Sequence, residues 1–198
     1  MQDLKQSGPI VLPDAQLRYE PHFLSSDTAD QLFKNLSTQV TWKEDSIRLF
    51  GKTYAQPRLT ALYGDQGKSY TYSGIQMHPT PFTPELLDLK LRIEDLSGER
   101  FTTCLLNLYR DGKDSNGWHA DNEKELGNQP FIASVSLGAN RAFHIKHRED
   151  KSLRFRMQLE HGSLLLMGGN MQESWLHQIP KTRKPVGQRI NLTFRKIN

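Results

Sequence analysis

Three side chains that could hold one metal ion lie in two separate parts of the chain. His119 and Asp121 are two positions apart, so an extended backbone would direct both to the same side. His177 follows much later, in a segment that also has strand character. Two imidazoles and one carboxylate can occupy one face of an octahedral ion such as iron(II) and leave the remaining positions open. Alone the pattern is weak, because His119 could be a loop residue and His177 an ordinary core histidine.

A polar row near the C-terminus could bind an anion. Alternation along the run from 189 to 195 puts four polar side chains on one face of a strand: Arg189, Asn191, Thr193 and Arg195. Two arginines on one face of a folded domain need an anionic partner, since an unpaired buried charge is costly. A 2-oxo acid that chelates iron has a far carboxylate, which suits an arginine fork. Asn107 and Tyr109 could add hydrogen bonds, or could be polar groups at a strand end.

The composition fits one folded unit without a membrane partner. The 198 residues carry a net charge of +4, which permits nucleic-acid binding without requiring it. Runs of roughly 20 apolar residues are absent from the sequence, and the start MQDLKQSGPI does not resemble a signal peptide. We expect a soluble, intracellular monomer with Cys104 as a buried structural thiol. Its compartment would be the cytoplasm in a bacterium and the nucleus in a eukaryote.

The elements that must position these residues are mainly strands. Apolar spacing predicts one helix from Ser26 to about Leu36 and another from Pro84 to Leu96. Short alternating or apolar runs then predict strands at 101–109, 131–137, 142–147, 153–159, 163–167, 175–179 and 189–194. We therefore expect an α+β, mainly β, fold in which a double-sheet jelly roll carries helices on one side.

Several segments, in order, closely resemble the AlkB family of iron- and 2-oxoglutarate-dependent nucleic-acid demethylases. The match covers roughly residues 45 to 198 and includes Asn107-Leu108-Tyr109, His119-Ala120-Asp121, His177 and the run from Arg189 to Arg195. The resemblance implies a double-stranded β-helix in which His119, Asp121 and His177 bind Fe(II). It further implies that 2-oxoglutarate is held by Asn107, Tyr109, Arg189, Asn191, Thr193 and Arg195. Residues 1–198 would form a single domain, with helices and a nucleotide-recognition lid in 1–100 and the dioxygenase core in 101–198.

The first half is similar to the duplex-DNA-acting AlkB homologue. By that resemblance Phe50 enters the base stack, Tyr72 stacks on the flipped base and Arg58 lies near the orphaned strand. Other substrate contacts implied by the match are Gly51, Lys52, Tyr70, Asn122 and Glu123. From the residues alone, Phe50 would be a hairpin core residue and Tyr72 a surface aromatic. Asn122 departs from the relatives, which carry an acid there, whereas Glu123 could still face a cationic ring.

The resemblance implies oxidative repair of 1-methyladenine and 3-methylcytosine in DNA, both duplex and single-stranded. The reaction would consume O2 and 2-oxoglutarate and release succinate, CO2 and formaldehyde. A methylated base pairs poorly, so flipping it into a pocket costs less than flipping an intact base. Two alternatives stay open. A related dioxygenase acting on RNA or on a protein side chain would not need Phe50 as a wedge, and a non-enzymatic jelly-roll binding module would bind no iron.

Overall fold

The structure is a computed structural model that describes residues 1–4, 7–49, 52–67, 70–72 and 75–197. Its helices are α1 (Ser26–Gln39), α2 (Pro84–Ser97) and the single turn α3 (Met171–Ser174), with a 3-10 turn at Lys124–Leu126. Its strands in chain order are β1 (Gln2–Asp3), β2 (Gly8–Leu12), β3 (Ala15–Glu20), β4 (Ser46–Leu49), β5 (Lys52–Ala55), β6 (Leu59–Gly64), β7 (Tyr70–Tyr72), β8 (Ile75–Met77), β9 (Thr103–Tyr109), β10 (Asn116–His119), β11 (Ile132–Gly138), β12 (Arg141–His147), β13 (Arg154–Leu159), β14 (Ser163–Gly169), β15 (Trp175–Ile179) and β16 (Arg189–Arg195). No described helix is both long enough and apolar enough to cross a membrane.

Two sheets face each other across the main core. The larger has seven strands in the order β2-β3-β14-β11-β16-β9-β6, and the smaller has five in the order β1-β13-β12-β15-β10. Apolar side chains of both sheets form one buried cluster that includes Leu105, Tyr109, Ile132, Phe143, Ile145, Met157 and Trp175. Such face-to-face packing of alternating inward side chains is the arrangement expected of a jelly roll, and the predicted fold is confirmed.

Helices α1 and α2 cover the outer face of the seven-stranded sheet. Their inward side chains form a second cluster with that face, including Leu36, Leu86, Ile93, Leu106, Val135 and Leu192. Ser25 Oγ accepts the Thr28 N–H at the start of α1, and Thr83 Oγ1 caps α2, which ends at Gly98 with φ 75°. These caps satisfy backbone groups that the helix ends leave unpaired, and both predicted helices are confirmed.

Strand β16 has the two faces that its alternation predicts. It lies in the middle of the large sheet, between β11 and β9. Ile190, Leu192 and Phe194 are fully buried on the helix side. Arg189 and Arg195 are also almost fully buried, at 1% and 3% exposed, but point away from the helices into the space between the sheets. The fold therefore buries two guanidinium groups in its interior.

The first hundred residues do more than cover the core. The hairpin β2–β3 extends the large sheet along β14, β6 extends it along β9, and β1 runs parallel to β13 in the small sheet. The described parts of two further hairpins, β4–β5 and β7–β8, form separate two-stranded sheets on either side of β6 in the chain. The N-terminal segment thus contributes both edges of the large sheet, one edge of the small sheet, and two hairpins whose described parts include Lys52, Tyr70 and Tyr72.

Candidate metal centre and anion pocket

The three predicted metal ligands come together between strands β10 and β15. His119 lies opposite His177 in the antiparallel pairing, and an extra residue between the pairs Asn116–Ile179 and His119–His177 makes a bulge in β10. A bulge re-aims a side chain, and here it precedes the first ligand. Ligand atoms of His119, Asp121 and His177 all lie within 4.8 Å of one another. Two imidazoles and a carboxylate at such spacing fit the coordination of one iron(II) ion.

A hydrogen bond to His119 and the burial of both rings prepare the two imidazoles to act as ligands. His119 Nδ1 lies 2.7 Å from the Gly117 carbonyl oxygen and must donate to it, so Nε2 carries the lone pair. Nε2 accepts from Asn116 Nδ2 at 3.1 Å and is the atom that would face a metal. Burial lowers the pKa of His119, and burial together with the nearby His119 ring lowers the pKa of His177 to about 3. Both rings are therefore neutral near pH 7, as metal binding requires.

Asp121 is held by two contacts from distant parts of the chain. Its Oδ1 accepts from Arg195 Nη2 at 2.6 Å, and both side chains are 3% exposed. Burial by itself would raise the pKa of Asp121, but the charge of Arg195 and the two imidazoles hold it below its ordinary value. The Asp121 backbone N–H donates to Gln172 Oε1 at 2.9 Å, and Gln172 on α3 is fully buried. The carboxylate is thus kept ionised and fixed in place.

Arg189 has donors available to a ligand in the same cavity. Its Nη2 donates to Ser136 Oγ at 2.9 Å, and its guanidinium carbon lies 5.2 Å from the centre of the Tyr109 ring. Its Nε and Nη1 are buried and have no hydrogen-bond partner among the residues that the structure describes. Burial lowers the pKa of Arg189 to about 10, so the group stays charged near pH 7. Buried donors without acceptors cost stability, and a carboxylate placed here would satisfy them.

The other predicted cosubstrate residues line this cavity together with the metal ligands. Its polar lining includes Asn107, Tyr109, Asn191, Thr193 and Arg195, and its apolar lining includes Phe143, Leu159, Met167 and Ile179. Asn191 Nδ2 donates to Ser134 Oγ and to the Val135 carbonyl, while Thr193 Oγ1 donates to Asn191 Oδ1. Asn191 and Thr193 therefore form a bonded polar floor, whereas Arg189 supplies the donors.

The predicted substrate residues are described less completely. Phe50 and Gly51 lie outside the described residues, and only the backbones of Lys52, Tyr70 and Tyr72 are described, in β5 and β7. Asn122 is exposed and Glu123 half-buried, directly after the ligand Asp121. Arg58 is 4% exposed and donates through Nε to Asn107 Oδ1 at 2.8 Å. This bond joins Arg58 to a predicted cosubstrate residue, and its place near an orphaned DNA strand stays a prediction.

Several polar residues of the site were missed by the sequence reasoning, among them Asn116, which contacts His119 Nε2. Ser134 and Ser136 alternate in β11 and meet the polar face of β16, so their period of two was a usable signal. Gln172 lies in a short turn of helix whose sequence shows no periodicity, and only the folded chain brings it to Asp121. Contacts made through backbone groups leave no mark on side-chain patterns.

Comparisons with known proteins agree with this geometry. The model of the 2OG-Fe(II) oxygenase superfamily matches residues 16–195. The chain is 44% identical to "Alpha-ketoglutarate-dependent dioxygenase alkB homolog 3" of Bos taurus over 89% of this chain and 64% of that protein. It is 38% identical to "DNA oxidative demethylase ALKBH2" of Mus musculus, over 85% of this chain and 75% of that protein. The chain thus spans less than two thirds of the length of the alkB homolog 3 relatives.

Solved structures give the same fold at lower identity. "The structure of OsALKBH1" superposes with a TM-score of 0.62 at 19% identity and covers 94% of this chain and all of that chain. An oxidoreductase of the 2OG-Fe(II) oxygenase family from Burkholderia pseudomallei has a TM-score of 0.61 at 13% identity, over 90% of this chain and 84% of that chain. These likenesses support the double-stranded β-helix assignment.

Proposed function

The chain belongs to the 2OG-Fe(II) oxygenase superfamily and, within it, to the AlkB homologues, and we propose that it oxidatively removes N-methyl groups from damaged bases in DNA. The family implies Fe(II) and 2-oxoglutarate as cofactor and cosubstrate. One observation carries the proposal: a His-Asp-His triad shares a cavity with a buried arginine that has two unpartnered nitrogens within the described part of the chain. A dicarboxylate cosubstrate that chelates a metal at one end needs a cationic side chain at its other end, and the triad and Arg189 would supply the two.

In this proposal His119, Asp121 and His177 hold the iron. When bound, the metal supplies O2 activation coupled to oxidation of 2-oxoglutarate to succinate and CO2, and the oxidised methyl group leaves as formaldehyde. The protein's part is to fix the iron, the cosubstrate and the methyl carbon in a reactive arrangement and to keep the cavity apolar on its other side. Phe143 and Ile179 contribute to that apolar lining.

Arg189 would pair with the far carboxylate of 2-oxoglutarate. Its two unpartnered nitrogens allow a bidentate contact, which a lysine cannot reproduce. Asn107 and Tyr109 would add hydrogen bonds to the same molecule, and Arg195 would lie nearer its metal-bound end. Asn191 and Thr193 would support this arrangement as the floor of the cavity.

Methylated DNA is the proposed substrate, as the name of the ALKBH2 relatives states for those proteins. Glu123, two residues after the ligand Asp121, would face the positive charge of 1-methyladenine or 3-methylcytosine. Tyr72 would stack on the flipped base, with Gly51, Lys52, Tyr70 and Asn122 around the nucleotide. We propose action on both duplex and single strands, with Phe50 filling the gap that a flipped base leaves in a duplex.

The proposed function also implies a domain organisation, an oligomeric state and a cellular compartment. Residues 1–198 would act as one domain and one monomer, in which 1–100 supply the nucleotide-recognition lid and 101–198 the dioxygenase core. Repair of genomic DNA would place the protein in the cytoplasm of a bacterium or the nucleus of a eukaryote. Light scattering on the purified protein, with and without an oligonucleotide, would test the monomer directly, and a stable dimer would contradict it.

Product analysis by mass spectrometry tests the proposed reaction. The protein is mixed anaerobically with Fe(II) and 2-oxoglutarate, then exposed to O2 with a methylated duplex, the matching single strand or a methylated RNA. We expect loss of one methyl group from DNA together with succinate formation, and neither product with His177→Ala. Turnover of RNA but not DNA would favour the RNA alternative. Succinate formation that no nucleic acid stimulates would favour another substrate, such as a protein side chain.

Phe50→Ala tests the duplex part of the proposal. Base stacking on an aromatic ring is worth about 1–3 kcal/mol, so duplex repair should fall by roughly tenfold or more. A single strand has no gap to fill, and its repair should change much less. Equal losses on the two substrates would contradict a wedge role and would indicate that Phe50 belongs to the hairpin core.

A further inference from the structure

Arg58 is a buried cation whose Nε bonds to Asn107, a side chain that lines the cavity. It lies just before β6, whose Thr60 is opposite Asn107 in the pairing with β9. Besides its bond to Asn107, Arg58 Nη1 lies 3.4 Å from the Ser115 carbonyl oxygen, a long contact. Ser115 directly precedes β10, the strand that ends at His119. Arg58 therefore connects the cosubstrate side of the site to the segment that leads into the metal ligands.

The chemistry of the two side chains fixes the direction of the Asn107 amide. A guanidinium has only N–H donors, whereas an amide has an oxygen that accepts and an NH2 that donates. Arg58 Nε donates to Asn107 Oδ1 at 2.8 Å. The opposite orientation would place two donors against each other inside the protein. With its oxygen engaged by Arg58, Asn107 is left with its NH2 end for other partners, and Asn107 lines the cavity beside Arg189.

We infer that Arg58 is a positioning residue that orients the Asn107 amide so that its NH2 group, and not its oxygen, meets a carboxylate of 2-oxoglutarate. This inference rests on the proposed function, since it takes 2-oxoglutarate as the ligand of Asn107. It gives Arg58 a role different from contact with an orphaned DNA strand. An amide oxygen turned toward a carboxylate would repel it, so the orientation matters for an anionic ligand.

A double-mutant cycle on cosubstrate affinity tests the inference without any nucleic acid. The protein is loaded anaerobically with Mn(II), a redox-inert substitute for iron(II), and 2-oxoglutarate is titrated calorimetrically into wild type, Arg58→Met, Asn107→Ala and the double variant. Loss of side-chain orientation typically weakens binding by about two- to tenfold, and we expect that loss for Arg58→Met. In the Asn107→Ala background, the same change at Arg58 should alter affinity by less than about twofold, because the oriented amide is gone.

Control variants distinguish a loss of Asn107 orientation from a loss of folding. Arg156→Met removes an arginine that pairs with Asp3 at the surface, and it should leave 2-oxoglutarate affinity unchanged. Mn(II) affinity and the unfolding transition report whether the Arg58 variants remain folded. Arg58→Lys keeps a donor and should recover part of the affinity, and it replaces Arg58→Met in the cycle if the methionine variant does not fold.

Two outcomes would overturn the inference. One is unchanged 2-oxoglutarate affinity in Arg58→Met, with weaker DNA binding instead, which would return Arg58 to the nucleic-acid surface. The other is an equal loss in both backgrounds, which would mean that Arg58 acts independently of Asn107. Failure of the wild-type protein to bind 2-oxoglutarate at all would refute the proposed function itself, and the inference with it.

Discussion

Replacing Arg189 by methionine should change stability and cosubstrate binding in opposite directions. Burial lowers the pKa of Arg189 from 12.5 to about 10, which corresponds to roughly 3 kcal/mol of unfavourable charge burial. Methionine would remove that cost but lose the hydrogen bond to Ser136, worth about 1.5 kcal/mol. It would also lose the stacking on Tyr109, worth roughly 0.5–1 kcal/mol. The protein free of metal and cosubstrate should therefore unfold with a free energy about 1 kcal/mol higher.

Binding of 2-oxoglutarate should weaken strongly in the same variant. Leaving one partner of a buried charge pair alone typically costs about 3–5 kcal/mol, which is a loss of roughly 150-fold to several thousandfold in affinity. Arg189→Lys should recover only part of it, because an ammonium lacks the bidentate fork. Urea unfolding measures the stability, and anaerobic calorimetry with Mn(II) measures the affinity. A variant that binds within threefold of wild type, or that is destabilised by more than about 2 kcal/mol, would refute this account of Arg189.

Three further changes test the metal side of the cavity. His119→Ala, Asp121→Ala or His177→Ala should abolish turnover and metal binding with the fold retained, which circular dichroism and Mn(II) titration check. Gln172→Leu removes the acceptor of the Asp121 N–H and should weaken Mn(II) affinity by about tenfold, while Gln172→Glu, which keeps an acceptor, should weaken it less. In the metal-free protein His177 has a folded pKa of about 3, whereas a histidine of the unfolded chain takes up a proton near pH 6.5. The free energy of unfolding should therefore decrease as pH falls below about 6.5, by up to about 1.4 kcal/mol per pH unit. His177→Gln should flatten that dependence in urea unfolding measured between pH 7 and 4.

The polar face of the C-terminal strand could be predicted because its cause is local. Alternation alone separates Arg189 and Arg195 from Ile190 and Leu192, and the sheet then adds only the neighbours on either side. The same reasoning located most strands of the second half to within a residue or two. Strands β2, β3 and β6 were not predicted: β3 and β6 pair with β14 and β9, which come much later in the chain, and β2 pairs with β3.

Contacts that depend on the whole fold lay beyond sequence reasoning. The bulge that precedes His119 is set by one extra residue in β10, and Gly117 within that strand is only a general sign of such an irregularity. The bond from Arg58 to Asn107 joins residues far apart in the chain, and a resemblance to relatives suggested a different role for Arg58. Local patterns fix which face a residue occupies, whereas the partner that it meets there is a property of the folded chain.

The ion pair between Asp121 and Arg195 leaves the charge of Arg189 more available to an anionic ligand than the charge of Arg195. Arg195 Nη2 contacts Asp121 Oδ1, while Asp121 Oδ2 lies 3.9 Å from His177 Nε2, so the carboxylate can bind a metal through one oxygen and keep Arg195 on the other. The charge of Arg195 is therefore largely balanced before any anion arrives. Arg189 has no carboxylate partner within the described ranges, and its charge is available in full. An incoming dicarboxylate should accordingly gain more from Arg189 than from Arg195.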